Sequence, residues 1–546
     1  MASSFDFTRP PSCQAGGLPF SSMNIRYLFA SALLLTASLA VGANERHVVV
    51  VVWDGMRPDF VSPENTPNLV RLSEEGVSFS RHHPVFLSST EVNGTALATG
   101  AYPSHSGIIA NNDFRPAIDS QKVVEMQVPT VIRKGDELTG GHYLGRPTMA
   151  ELLQARGLTT AIAGSKQVVL LHDRSVRPNT STSSPVLAQG EITPRSRQAA
   201  LEQAVGPFPP ATERDDKQAR DAWTSRALLD FLWKDKVPAL TLLWLAEPDS
   251  SQHVSGPGSA QSLEAIRADD AQLGLVLADL ARRGLRDSTD VIVVSDHAFS
   301  TIARRVDVAV ELSLAGFTTK RAAPGGLQKG DVLVVSNGGS SLIFVGGHDA
   351  AVIARLTAHL QKQDWLGVVF SRTPADGVFP MAEAHIDSPD APDLVISLRW
   401  TSGKSANGTP GLQVSDLGAK SNKVGNHASL SSYDMHNILV AAGPDFRRGV
   451  TDTLPSANTD IAPTVLWLLG LKEEAAKMDG RVLAEALTVP APDLRSYDLK
   501  RLSAQRELPE GIWTQYLQVA EVNGVRYLDE GNGTFAPKAA TSAPAH

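Results

Sequence analysis

Six side chains of only two chemical kinds, carboxylate and imidazole, recur just after apolar runs, together with one threonine and one asparagine in a hydroxyl-rich stretch. Asp54 ends the segment VVVVVWDG; Asp249 and His253 stand four apart in PDSSQH; Asp296 and His297 are adjacent in VVSDH; His427 lies in GNHASL. Thr90 and Asn93 sit in SSTEVNGTALATG. Each alone has an ordinary structural use: an Asp after a strand caps a turn, an Asp-His pair satisfies itself at a sheet edge, a loop His is solvated, and a Thr caps a helix. Jointly they form a sensible first shell for two zinc ions, which accept neutral imidazole nitrogen and carboxylate oxygen. The only cysteine is Cys13, which excludes thiolate zinc sites, a disulfide scaffold and a cysteine nucleophile elsewhere in the chain.

The elements that must position these residues read as alternating strands and helices. Runs at 47–52, 159–164, 239–245, 290–296 and 437–443 are β-rich and apolar, as in strands buried on both faces. Between them lie helical patterns at Pro67–Glu75, Pro147–Arg156, Gln218–Trp233 and Gln261–Arg283. This alternation predicts an α/β fold with a mostly parallel central sheet flanked by helices. Ligands of such sheets bind beyond the strands' carboxyl ends, where Asp54, Asp249 and the Asp296-His297 pair fall. Residues 178–213, rich in Pro, Ser and Thr, are expected to form a long surface excursion, and 301–420, with short strands of its own, an inserted α+β subdomain. The catalytic domain is expected to span 44–487. Residues 488–546 read as a C-terminal extension with a hairpin at YLQVAEVNGVRYL and a disordered tail.

The 546 residues carry a net charge of −8 with both signs in similar supply, which argues against a nucleic-acid-binding surface. No P-loop and no G-x-G-x-x-G fingerprint occurs. Residues 1–43 read as a leader. Arg26 precedes an apolar run from Tyr27 to Val41, with Val41-Gly42-Ala43 as a small-residue cleavage site. The run suits a signal peptide starting at about Met23, the expected true start, and is too short to span a bilayer. The mature protein is therefore expected to be periplasmic or secreted, with no membrane span.

The ordered set Asp54-Gly55, Thr90-x-x-Asn93, Thr99-Gly100, Pro248-Asp249-x-x-x-His253, Ser295-Asp296-His297 and Gly425-x-His427 resembles the alkaline phosphatase superfamily, its nucleotide pyrophosphatase/phosphodiesterase branch most closely. The resemblance covers about 46–300 and 420–485. It implies an alkaline-phosphatase-like fold and two zinc sites, one on Asp249, His253 and His427, the other on Asp54, Asp296, His297 and the Thr90 hydroxyl. Thr90 would be the nucleophile, and Asn93 an amide donor to the transferring phosphoryl group, assisted by backbone N–H groups near Glu91. The expected function is hydrolysis of phosphate diesters or pyrophosphates, as small phosphate-ester substrates, through a phosphothreonine. The rival is an alkaline-type phosphomonoesterase; a reading of another class is a non-catalytic phosphate-ligand-binding protein of the same fold.

Two departures matter. Glu91 follows Thr90 where nucleotide-cleaving members place an aromatic that stacks on a base. Lys166 follows a strand and is expected to reach a phosphate oxygen, but Val168 stands where monoesterase relatives carry a second cation. A monoester dianion needs that second charge more than a diester does, which tilts the reading toward diesters.

Overall fold

The computed structural model describes residues 45–173, 184–212, 217–417, 421–489 and 496–538. The expected leader at 1–43, with its signal peptide, and the tail beyond Lys538 lie outside them. Among the described residues, no helix is long and apolar enough to cross a membrane.

A mixed, mostly parallel sheet forms the centre. Its strands are β1 (His47–Trp53), β2 (Val77–Phe79), β3 (Thr160–Gly164), β4 (Val186–Ala188), β5 (Glu191–Thr193), β6 (Leu240–Leu245), β7 (Thr289–Val294), β8 (Leu439–Ala442) and β9 (Val450–Asp452). Their order across the sheet is β9-β2-β8-β7-β1-β6-β3-β4-β5. The five strands from β7 to β4 in that order run parallel; β8 is antiparallel to β7 and β2, and β5 to β4. All seven residues of β1 are buried, because helices cover both faces of the sheet's middle and leave no face for polar side chains. The two faces bear separate apolar cores. One gathers Val48, Val50 and Val52 with Ile162, Leu242 and Leu97; the other gathers Val49, Val51 and Trp53 with Leu243, Ile266 and Leu273.

The expected excursion at 178–213 is corrected where it is described. β4 and β5 extend the central sheet, and the helix Gln198–Val205 follows them. Leu187, Ile192 and Leu201 are buried there, so a few apolar residues among Pro, Ser and Thr suffice to dock the segment. Residues 174–183 lie outside the described residues.

Residues 300–426 build two further sheets. One, ordered Thr319–Lys320, Val332–Ser336, Ser340–Val345, Leu394–Leu398, Leu366–Ser371, Phe379–Pro380, lies wholly within 301–420. The other pairs Trp400–Lys404 and Pro410–Asp416 with Ser300–Val306 and Gly425–Asn426. Ser300 follows Asp296-His297 and Asn426 precedes His427, so this second sheet ties both ends of the insertion to the site residues. The C-terminal segment is a three-stranded meander (Asp498–Leu508, Gly511–Val522, Val525–Pro537), the expected hairpin being its last two strands. Positive φ at Asn523 (50°) and Gly524 (83°) gives the tight turn that the Asn-Gly pair favours.

Candidate metal centre

Asp54 is the first residue after β1 and Asp249 opens the helix Asp249–Ser255 after β6; Asp296 and His297 follow β7. Since β7, β1 and β6 are neighbours running in one direction, their carboxyl ends meet. The chain can turn between Asp54 and Asp249 only because residue 55 is glycine. Its φ is +73°, and a Cβ there would lie 3.1 Å from Asp249 Cα. Asp249 N–H donates to the Asp54 carbonyl at 2.9 Å, and Gly55 N–H to Asp296 Oδ1 at 3.0 Å. Thr90 opens the helix Thr90–Thr99, in which every residue is buried.

Two three-residue groups result, Asp249/His253/His427 and Asp54/Asp296/His297. In the first, Asp249 Oδ1 is 3.4 Å from His253 Nε2 and 3.7 Å from His427 Nε2. In the second, His297 Nε2 is 3.6 Å from Asp54 Oδ1 and 3.3 Å from Asp296 Oδ2. The His297 and His427 rings stack with centroids 3.8 Å apart, which makes the groups neighbours. Thr90 Oγ1 stands 3.2 Å from His297 Nε2.

The donors fit divalent metal. All three imidazoles donate Nδ1–H to a backbone carbonyl: His253 to Gly425 and His427 to Ser88 at 3.0 Å, His297 to Ala298 at 3.0 Å. That fixes the tautomer and turns the Nε2 lone pair inward, the usual arrangement of a ligating histidine. Burial holds His253 neutral, its pKa lowered to about 3, and holds His427 well below its ordinary value. Each carboxylate has one oxygen bonded and one orphaned. Asp54 Oδ1, Asp249 Oδ1 and Asp296 Oδ2 are buried and accept no hydrogen bond among the described residues, and these are the oxygens facing the imidazoles. Tetrahedral zinc with bonds of about 2.0–2.2 Å has ligand-to-ligand edges of about 3.4 Å, matching these separations. A third group, His83/His436/Asp529, does not fit. There Asp529 Oδ1 lies 3.0 Å from His83 Nε2 and 2.6 Å from His436 Nε2, which are hydrogen-bond lengths, and no oxygen of Asp529 is orphaned.

Lys166 sits in the site but not as expected. Its ammonium is 2.8 Å from Asp54 Oδ2 and 3.1 Å from Asp249 Oδ2, on the carboxylate oxygens turned away from the imidazoles, and Trp244 Nε1 shares Asp54 Oδ2 at 2.8 Å. It neutralises the ligand carboxylates instead of standing free for a phosphate. Burial disfavours its charge, yet Asp249, Asp54 and Asp296 outweigh that and hold its pKa well above the ordinary value. Asp249 is pushed up by burial and pulled further down by Lys166 and the imidazoles, so it ends well below the carboxylate range.

Asn93 is corrected outright. Its Nδ2 donates to the carbonyls of Val85, Leu87 and Ser89 at 3.1–3.2 Å, while Oδ1 accepts from Val85 N–H and Asn458 Nδ2. Fully buried and fully bonded, it shapes the loop that presents Thr90 and has no donor left for a phosphoryl group. Glu91 N–H is committed as well, to Asn111 Oδ1 at 3.0 Å. Asn111 is the residue that sequence reading missed. Half-buried beside the start of the Thr90 helix, it has an amide nitrogen with no partner among the described residues. Twenty-one positions from Thr90 and in no short motif, it carries no sequence signal of its own. The Glu91 side chain is buried with Oε2 unpartnered among the described residues, and burial raises its pKa to about 8.

The sequence profile of the type I phosphodiesterase / nucleotide pyrophosphatase family matches residues 48–428. Human ectonucleotide pyrophosphatase/phosphodiesterase family member 7 is 24% identical over 468 residues, 81% of this chain and 87% of the human protein. Its mouse counterpart is 24% identical over 499 residues, covering 88% and 96%. The solved structure of murine ectonucleotide pyrophosphatase/phosphodiesterase 5 superposes with a TM-score of 0.57 at 19% identity, over 81% of this chain and all of that one, and shares the fold. An inactive variant of that murine protein has been solved with AMP.

Proposed function

The chain belongs to the type I phosphodiesterase / nucleotide pyrophosphatase family, as a hydrolase of that kind, and we propose that it cleaves phosphate diesters or pyrophosphates through a covalent phosphothreonine at Thr90. The observation that carries this reading is the convergence of three orphaned carboxylate oxygens and three inward Nε2 lone pairs beside one buried threonine hydroxyl. Asp249, His253 and His427 would hold one divalent cation, and Asp54, Asp296, His297 and Thr90 a second. Zinc suits their nitrogen and oxygen donors. Bound there, the ions would supply charge stabilisation for a threonine alkoxide and for the phosphoryl oxygens.

Thr90 Oγ1 forms the new bond to phosphorus while the bond to the leaving oxygen breaks. Water then cleaves the Thr90–phosphorus bond and releases a phosphate monoester. The Asn111 amide is the side-chain donor available to a non-bridging oxygen, in the role first expected of Asn93. Lys166 favours the ionised form of Asp249 and orients both Asp54 and Asp249. With that ammonium committed and Val168 in the core, no cation of this segment is left for the second charge of a monoester. The apolar Met23–Ala43 segment supports export, to the periplasm or outside the cell.

The test compares kcat/KM for bis-p-nitrophenyl phosphate and p-nitrophenyl phosphate on one zinc-loaded preparation. Preference for the diester is expected, with Thr90→Ala below about 1% of wild-type turnover, the scale on which covalent catalysis is lost. Preference for the monoester would make this a phosphatase, and turnover by Thr90→Ala would remove the threonine from its role.

A further inference from the structure

Thr90 and His297 are 207 positions apart in the chain, yet the threonine hydroxyl stands 3.2 Å from the imidazole. A side chain outside the metal centre is bonded into both of the segments that carry them. Asn458 opens the turn Asn458–Asp460, directly after the short strand Ser456–Ala457, which pairs in parallel with His82–His83. It is fully buried. Its Nδ2 donates to Asn93 Oδ1 at 3.0 Å and to the Asp296 carbonyl at 2.6 Å. Its Oδ1 accepts from His82 Nε2–H at 2.9 Å and from Asn437 Nδ2 at 3.4 Å. Both amide protons and both lone pairs of the oxygen are thus in use.

The neighbours fix which way this amide points. The Asp296 carbonyl can only accept. Asn93 turns its own nitrogen to three carbonyls, so its oxygen is what meets Asn458. Burial keeps His82 neutral, with a pKa lowered to about 3, and its Nδ1 accepts from Ser456 Oγ at 3.0 Å. The ring proton therefore sits on Nε2, facing Asn458 Oδ1. The two donor bonds have separate destinations. Asn93 pins the carbonyls of Val85, Leu87 and Ser89, the stretch that leads into Thr90. The Asp296 carbonyl belongs to the planar peptide unit that joins Asp296 to His297, so the bond to it sets the tilt of the backbone from which both side chains spring.

We propose that Asn458 is a positioning residue for the reaction: by tying the Asn93 pin to the Asp296–His297 peptide it sets the distance from Thr90 Oγ1 to the Asp54/Asp296/His297 group, and so how the nucleophile meets a cation held there. This rests on the assignment of Thr90 as nucleophile. Asn458 itself touches no reacting atom. Without its donors the Thr90 loop and the Asp296–His297 peptide lose their common anchor, and misplacing a reacting group by about 1 Å costs about 100-fold in rate. Asn111 and the Asp249/His253/His427 group are not bonded to Asn458, so substrate binding should hold while the chemical step slows.

The experiment compares the mature chain as wild type, Asn458→Asp and Asn458→Ala. The first is isosteric and keeps an oxygen for His82 and Asn437 while removing the donor nitrogen; the second removes the whole amide and serves if the first does not fold. The measurements are kcat and KM on bis-p-nitrophenyl phosphate in saturating zinc, zinc affinity by competition with a chelator, and folded fraction by urea unfolding. In both variants kcat per folded molecule is expected to fall about tenfold or more, with KM within about twofold of wild type. Of the two zinc-binding steps, one is expected to weaken about tenfold or more. The other, identified by its loss in Asp249→Ala, should hold. An unchanged kcat per folded molecule, or equal weakening of both zinc steps, overturns the proposal and leaves Asn458 a part of the fold alone; an inactive Thr90→Ala then leaves the nucleophile reading standing. A rise in KM at unchanged kcat overturns it as well. Turnover by Thr90→Ala overturns the nucleophile reading, and this proposal with it.

Discussion

Two asparagines divide the work that one motif position suggested. Asn93, with four side-chain hydrogen bonds to the 85–89 loop and one to Asn458, is a structural pin; Asn111 has an amide nitrogen without a partner among the described residues. Removing Asn93 strands buried carbonyls, each costing about 1–3 kcal/mol. Asn93→Ala should therefore lower the urea midpoint strongly and reduce activity in step with folded protein. Asn111→Ala strands only the Glu91 N–H, so it should lower the midpoint much less and lower kcat/KM about 100-fold, the scale of losing one oxyanion donor. Paired unfolding and kinetic measurements separate the two, and the opposite pattern would restore the first assignment.

The helix Thr90–Thr99 is the element on which the site depends. It is buried on every side and rich in small residues, and at Gly94 its neighbours come too close for a side chain. A Cβ there would lie 2.5 Å from Val168 Cγ2 and 3.4 Å from the Trp244 ring. Trp244 in turn donates to Asp54. Gly94→Val would overpack this contact at a cost of about 1–3 kcal/mol, pushing either the Thr90 helix or the Trp244–Asp54 pair out of place. Urea unfolding should show the loss, and zinc affinity, measured by competition with a chelator, should weaken with it. A variant as stable as wild type would mean that Val168 yields freely.

At the scale of the whole molecule, the C-terminal meander is fastened to the catalytic core rather than appended to it. Leu517 and Val519 share an apolar cluster with Phe86 and Leu87 beside the site and with Leu333 and Phe370 of the insertion. Asp529 adds a polar clasp to His83 and His436. Burial opposes ionisation of Asp529, but hydrogen bonds from His436 and His83 outweigh it and hold the pKa far below the ordinary carboxylate value. A carboxylate with a depressed native pKa stabilises the fold fully above its unfolded value of about 4 and loses that contribution as pH falls below it. Asp529→Ala should therefore cost about 2–3 kcal/mol at pH 7, with the gap from wild type narrowing toward pH 3. Urea midpoints across that range test it; a constant gap would assign the loss to packing.

The sequence by itself determined the five middle strands of the central sheet and the carboxylates and imidazoles that gather at its edge. An all-apolar β-run can only be an interior strand, and an Asp or His placed just past such a run is delivered to the sheet's carboxyl edge wherever that strand lies. What it did not determine was which polar atoms remain free once the chain has closed. Asn93 and Lys166 looked available because their partners, the carbonyls of 85–89 and the outer oxygens of Asp54 and Asp249, are brought to them only by folding. Asn111 looked ordinary because the helix start it hydrogen-bonds lies about 20 positions before it in the chain. The apolar residues that dock 184–212 are likewise too few to outweigh its polar composition until the edge of the sheet is there to receive them. Local residue chemistry fixes what a side chain is able to bond; tertiary closure decides which of those bonds are already made.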